Sequence, residues 1–285
     1  ALGRSEGYLK ERKLNEAIIE LQNALQVDKG FVPALHALGR AYAGKYWFLD
    51  AVRELGRAQK LAPDSVPIAA DFGRALVEIG AWEEAEDEAK KILEREPGNV
   101  LGQYIRASAL LGRAKPEDAL AILDALPKAG ALPDIDLARA QALVRLGKTA
   151  EAEQLLRAAL ARDPRDGRSI AGLGAVYLAR REYTEAARLC SEAKALAPED
   201  PRMRMGLAAA LARLGKIAEA IAELEEVSPR AQTAVVMRAL ALYYLEADRA
   251  GDAIPLVAPL VAQLPRYTKA RFLLGIAYLA TQNAS

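Results

Sequence analysis

Residues 32–65 read VPALHALGRAYAGKYWFLDAVRELGRAQKLAPDS, and this stretch decides the fold. Leu35, Leu38, Gly39 and Tyr42 are spaced i, i+3, i+4 and i+7, which places them on one side of a helix. Ala51, Leu55 and Ala58 repeat that spacing after an aromatic turn, and Pro63 closes the unit. The pattern predicts two short amphipathic helices whose apolar stripes face each other. Two helices of this length cannot cover both stripes, so the unit needs neighbours of the same kind.

The chain supplies them. A small residue opens each second helix at Ala17, Ala51, Ala85, Ala119, Ala152, Ala186, Ala220 and Ala253, a spacing of 33 or 34 throughout. Prolines recur after second helices at Pro63, Pro97, Pro164, Pro198 and Pro265, where they end one helix and orient the next. With Leu35-x-x-Leu38-Gly39-x-x-Tyr42, Ala51-x-x-x-Leu55 and Pro63, the unit resembles the tetratricopeptide repeat, Leu35 standing where that family often has Trp. Phe48, Trp82 and Tyr183 match the aromatic of its inter-helix turn, while Tyr46 and Trp47 are surplus to that role and shield the turn or form a contact site. The resemblance implies an all-α fold, an α-solenoid of antiparallel helix pairs forming a right-handed superhelix over residues 1–285. Its repeats fall near 1–31, 32–65, 66–99, 100–132, 133–166, 167–200, 201–233 and 234–267, with a partial ninth at 268–285.

Composition narrows the function. The 285 residues carry 39 basic and 38 acidic side chains, a balance that speaks against binding nucleic acid through phosphate neutralisation. No apolar run reaches the length of a membrane span. The single cysteine, Cys190, falls in the slot of Leu55 and reads as a buried structural thiol. His36 is the only histidine, so His-pair metal sites and spare catalytic triads are absent from the sequence. Glu83, Glu84, Glu86, Asp87 and Glu88 read as a solvated helix start, and Gly172-x-Gly174 lacks the strand and third glycine of a dinucleotide fingerprint.

Local features stand out from the register. Arg106 and Arg139 fall in the slot of Leu38, and since arginine does not sit unpaired in a core, the first helices of repeats four and five are expected to rotate, changing curvature near residues 100–140. The linker 127–133 is irregular. Asn15 is placed to cap a second helix, and Pro255 and Pro259 lie in the second helix of repeat eight, where Pro259 is expected to kink it.

In tetratricopeptide proteins the side of each first helix turned away from its own partner lines a concave groove that holds an extended peptide or a partner helix. Carried onto this sequence, that placement makes His36, Arg40, Arg74, Tyr104, Ser108, Gln141, Arg168, Arg202 and Arg238 the candidate ligand-binding residues. Arginines on neighbouring units suit the carboxylates of an acidic peptide. Leu242, Leu245, Phe272, Ile276 and Leu279 make the C-terminal end apolar, a surface for further repeats or self-association. The Lys and Asn carboxylate clamp of some family members is missing from these slots. No catalytic residue, metal or cofactor is expected. The expected function is a non-catalytic scaffold for a protein or peptide. The stretch from Ala17 to Leu25 is similar to envelope and polysaccharide-export proteins, with the recruiting arm of a larger enzyme such as a glycosyltransferase as the alternative. Compartment stays open between cytoplasm and periplasm, and Ala1, part-way into a helix, reads as a trimmed N-terminus.

Overall fold

The computed structural model describes residues 2–126, 133–263 and 268–283, all of it helix and turn. The linker 127–132 and Pro265 lie outside the described residues. Seventeen helices follow one another among those described: α1 (Leu2–Lys10), α2 (Leu14–Val27), α3 (Val32–Gly44), α4 (Phe48–Leu61), α5 (Val66–Ile79), α6 (Trp82–Arg95), α7 (Val100–Gly112), α8 (Pro116–Ala125), α9 (Pro133–Arg145), α10 (Thr149–Arg162), α11 (Gly167–Ala179), α12 (Tyr183–Leu196), α13 (Pro201–Arg213), α14 (Ile217–Glu225), α15 (Ala234–Glu246), α16 (Ala250–Gln263) and α17 (Thr268–Asn283). They form two compact units. One comprises Ala1–Ala109 with Pro229–Thr233, the other Leu110–Ser228 with Ala234–Ser285, so the boundary falls inside α7.

Each pair is built in the same way. The eight alanines of the 33- or 34-residue register, from Ala17 to Ala253, are all completely buried. A larger side chain there would hold the two helices apart. Leu35 and Leu55 are also fully buried, and burying a leucine contributes about 1.5–3 kcal/mol. Opposite them the first helix thins to glycine: a Cβ on Gly39 would lie 2.5 Å from Leu55 Cγ, and one on Gly174 2.5 Å from Cys190 Sγ. Cys190 thus occupies the Leu55 slot, and its burial pushes the thiol up to about 11.

The turns repeat just as closely. One residue per pair takes the left-handed conformation: Arg12, Tyr46, Gly80, Ala114, Gly147, Arg181, Gly215 and Asp248, with φ between 57° and 84°. The next residue donates its N–H to the carbonyl five positions before the left-handed residue's successor, as in Trp47 to Tyr42 (2.9 Å), Lys115 to Leu110 (2.9 Å) and Arg249 to Tyr244 (2.7 Å). This closes the first helix in a Schellman-type cap and reverses the chain. Only three of the eight positions are glycine, so five turns hold a side chain in a conformation that disfavours it.

Among the described residues, α2, α4, α6, α8, α10, α12 and α14 start without a side-chain cap. Lys13 precedes α2 with no capping bond, and Asn15 lies inside the helix rather than at its cap. Asp166 and Asp200 do cap α11 and α13, accepting from the N–H groups of Arg168 (3.2 Å) and Arg202 (3.0 Å). Helix α16 runs through both Pro255, its sixth residue, and Pro259.

Repeats four and five depart from the pattern in different ways. In α7 the Gly39 and Tyr42 slots stay buried as Ala107 and Leu110, and Arg106 in the Leu38 slot reaches solvent without a one-residue shift of the stripe, while Ile105 and Ser108 are buried beside it. In α9 Arg139 stays in the Leu38 slot at 5% exposure, beside Asp136 in the Leu35 slot at 7%. Arg139 Nη1 donates to Asp136 Oδ1 (2.9 Å), Nε to the Leu123 carbonyl (3.0 Å) and Nη2 to the Leu126 carbonyl (2.9 Å). Those carbonyls belong to the end of α8, which has 10 residues where α4 and α6 have 14. The arginine is paired and caps a truncated helix, so the slot accepts it without rotation.

Candidate functional site

Within each unit, first helices of consecutive repeats touch one another: α1 with α3, α3 with α5, α9 with α11, α11 with α13, α13 with α15 and α15 with α17. Second helices contact the next first helix but make no comparable contact with each other among the described residues. The first helices are therefore the more closely spaced row, and their outward sides form a continuous face in each unit.

On that face in the first unit, His36 Nε2 lies 2.8 Å from Asp71 Oδ2, and Arg40 Nε lies 3.7 Å from the same oxygen. Asp71 comes from α5 and the other two from α3, so one carboxylate joins two repeats. The Arg40 side chain is 62% exposed. Arg74 is exposed one repeat further on, and Tyr104 is half-buried. Ser108 is buried at 8% exposure and is not open on this face. Asp71 was missed from sequence, because nothing in a single helix says which residue of the next repeat meets His36.

In the second unit Gln141 is exposed. Arg168 pairs with Asp134 of the preceding repeat and stands 3.8 Å from Asp166, its own helix cap. Arg202 grips Asp200 through Nη2 (2.7 Å) and Nε (2.9 Å). Both arginines are thus engaged in holding the starts of first helices. Arg238 is half-buried, and its Nε is buried without a partner among the described residues. The structure brings His36 and Arg40 together around Asp71 and gives Arg168 and Arg202 separate structural carboxylates.

The surplus aromatics are packed. Trp47 lies 5.9 Å from Tyr42 and Tyr46 6.2 Å from Phe48, centroid to centroid. Lys45 Nζ stands 5.2 Å from the Trp47 ring centre and the Arg230 guanidinium, within the same unit, 4.6 Å. The indole is covered by cations and is not an open stacking surface. Other polar contacts tie successive repeats: Arg57 donates to the Lys29 carbonyl (2.8 Å), Arg95 to the Asp64 carbonyl (2.7 Å), and Lys194 forms an ion pair with Glu223 (2.7 Å). No helix among the described residues is long and apolar enough to cross a membrane.

Paired helices in a 33- or 34-residue register, joined by recurring turns and with first helices in a row within each unit, define a helical-repeat protein. Two family models described as tetratricopeptide repeat match the chain, one over residues 70–132 and 137–201 and the other over 177–242. The chain belongs to the tetratricopeptide repeat family. Among solved structures it is similar to the human IFIT1 dimer with PPP-AAAA, at 13% identity and a TM-score of 0.60, covering 98% of this chain and 78% of that one. It is also similar to a chain of the APC/C hetero-tetramer Cut9-Hcn1, at 17% identity and a TM-score of 0.50, covering 93% of this chain. It spans 52% of that longer chain. At these identities the likeness concerns the fold alone. No curated protein matches the sequence. A tetratricopeptide array is a scaffold for protein–protein interaction.

Proposed function

We propose that residues 1–285 act as a single non-catalytic array that takes a partner protein or extended peptide on the face of its first helices, and that the recognised segment is acidic. The observation that carries this reading is the state of Arg40. Its guanidinium is mostly in solvent, and its one carboxylate contact among the described residues, at 3.7 Å, is to an oxygen already 2.8 Å from His36. A ligand carboxylate can therefore take the guanidinium's paired N–H edge while Asp71 stays with His36. Arg74 repeats the charge on the next first helix, and Tyr104 offers ring area beyond it. In the second unit Gln141 and Arg238 extend the candidate face. Arg168 and Arg202 enter it only by exchanging Asp134 and Asp200 for carboxylates of a ligand.

The setting we favour is an envelope or polysaccharide-export assembly of a bacterial cell, on the resemblance of the stretch from Ala17 to Leu25. The recruiting arm of a larger enzyme such as a glycosyltransferase is the second reading, and the full-length reading frame separates the two. The test of the binding face is capture from lysate of the source cells with the wild type and an Arg40→Glu/Arg74→Glu variant of equal melting temperature. One protein retained by the wild type and lost by the variant supports the reading. Equal capture by both places binding elsewhere and overturns it.

A further inference from the structure

His36 is the one histidine in 285 residues, and it stands on the candidate face with Nε2 2.8 Å from Asp71 Oδ2. An ionised carboxylate can only accept, so Nε2 carries a proton whatever the charge of the ring, and a further proton goes to Nδ1. The bond to Asp71 is kept in both states and only the charge changes. With the ring neutral, Asp71 has Arg40, at 3.7 Å, as its one counter-charge among the described residues. With the ring charged, the imidazolium is the nearer partner, and the guanidinium, 62% exposed, is released from that carboxylate.

The other charges around the ring leave that balance in place. Of the helices packed on α3, α5 supplies Asp71 and, three residues on, Arg74, while α1 carries Glu6 at the register position of Arg40. No carboxylate of α1, α2 or α4 lies within ion-pair distance of the imidazole among the described residues. Histidine is the side chain whose charge ordinarily changes between pH 5 and 8. Cys190, pushed up to about 11 by burial, stays neutral there. We infer that protonation of His36 strengthens the hold of the first-helix face on an acidic segment, so that binding is coupled to proton uptake at this one imidazole. The inference rests on the reading of that face proposed above and adds its regulation. The sign follows from charge: His36, Asp71 and Arg40 together pass from neutral to positive, which favours a bound anion, and the bound anion in turn favours the protonated ring. One charge added roughly 6–8 Å from a ligand carboxylate in a hydrated setting changes affinity about threefold to tenfold.

The experiment uses the whole chain and an acetylated hexa-aspartate peptide with a tetramethylrhodamine label, whose carboxylates stay ionised throughout. Fluorescence polarisation is read at pH 8 and about pH 5.5, at constant ionic strength, for wild type, His36→Gln and Arg40→Glu/Arg74→Glu. Glutamine keeps an N–H donor for Asp71 and cannot take a charge, so His36→Gln should melt with the wild type at pH 8. The expected result is binding about threefold to tenfold tighter at the lower pH for wild type, and equal at both for His36→Gln. The chain's one imidazole also gives one Cε1–H signal by proton NMR, whose titration midpoint should move up when the peptide is added. Binding lost in Arg40→Glu/Arg74→Glu yet independent of pH in the wild type overturns the inference and leaves the binding face standing, as does a pH dependence that His36→Gln retains. Binding unchanged in Arg40→Glu/Arg74→Glu, or no binding by the wild type at either pH, overturns both.

Discussion

Replacing Ala114 by glycine should stabilise the protein, although glycine is the poorest residue but one for a helix. Ala114 is exposed, with φ 59°, in the turn between α7 and α8. Its N–H bonds the Leu111 carbonyl at 3.0 Å, and the following Lys115 N–H bonds that of Leu110 at 2.9 Å. The backbone is therefore fixed by the cap and cannot relax to negative φ. An alanine in this conformation costs about 1–2 kcal/mol, which glycine removes. Glycine loses about 0.4–1 kcal/mol more entropy on folding, so the net gain is about 0.5–1 kcal/mol. With a urea slope of about 3 kcal/mol per molar, the midpoint moves up by about 0.2–0.3 M. Ala158, exposed inside α10, supplies the contrast: Ala158→Gly loses helix propensity and should cost about 1 kcal/mol. Arg12→Gly and Arg181→Gly, at φ 57° and 65° in other repeats, should add to Ala114→Gly for a combined gain of about 2 kcal/mol. Urea unfolding followed by circular dichroism reads all of these. A fall in midpoint for Ala114→Gly comparable to that for Ala158→Gly would show that the turn imposes no left-handed strain.

Arg139→Leu should destabilise by about 3–5 kcal/mol, since it strips the donors from the Leu123 and Leu126 carbonyls and leaves Asp136 buried with Arg162 (3.0 Å) alone. The double variant Asp136→Leu/Arg139→Leu restores the residues of α3 and should recover all but about 1–2 kcal/mol; unfolding midpoints for the single and double variants would be the same if the carboxylate were not the source. Gly174→Ala puts a Cβ 2.5 Å from Cys190 Sγ and should cost about 1–3 kcal/mol, with Cys190→Ala in the same chain recovering part of it. That thiol, raised to about 11 by burial, should react with an aromatic disulfide at pH 8 only after denaturation; fast labelling of folded protein would contradict its placement. Hydrogen bonds from Arg157 and then Arg180 hold the Glu153 carboxyl below the usual carboxylate range. Its contribution to stability is therefore present above the unfolded-state value and lost as pH falls through the folded one. Glu153→Gln should lower the urea midpoint at pH 7, with the difference vanishing towards pH 3.

The legible part of this protein is periodic. A buried alanine every 33 or 34 residues, a glycine or tyrosine one turn apart and a proline after the second helix belong to single helices, and their spacing alone set the all-α repeat fold. Cys190 was readable in the same way, because its slot had already been defined by Leu55. What the sequence left undecided lies between helices. Arg106 and Arg139 share a slot on the register, yet one turns to solvent and the other stays buried, because only Arg139 finds Asp136 on its own helix and two open carbonyls on α8. The same limit hid Asp71, whose meeting with His36 depends on how α5 lies against α3. It also hid the left-handed backbone at Arg12, Tyr46, Ala114, Arg181 and Asp248, where residue type gives no warning and the cap's hydrogen bonds impose the conformation. Periodicity is a property of one helix and is written along the chain. Which buried charge is tolerated, and which surface arginine keeps a free edge, depends on donors and acceptors brought together only when the repeats pack.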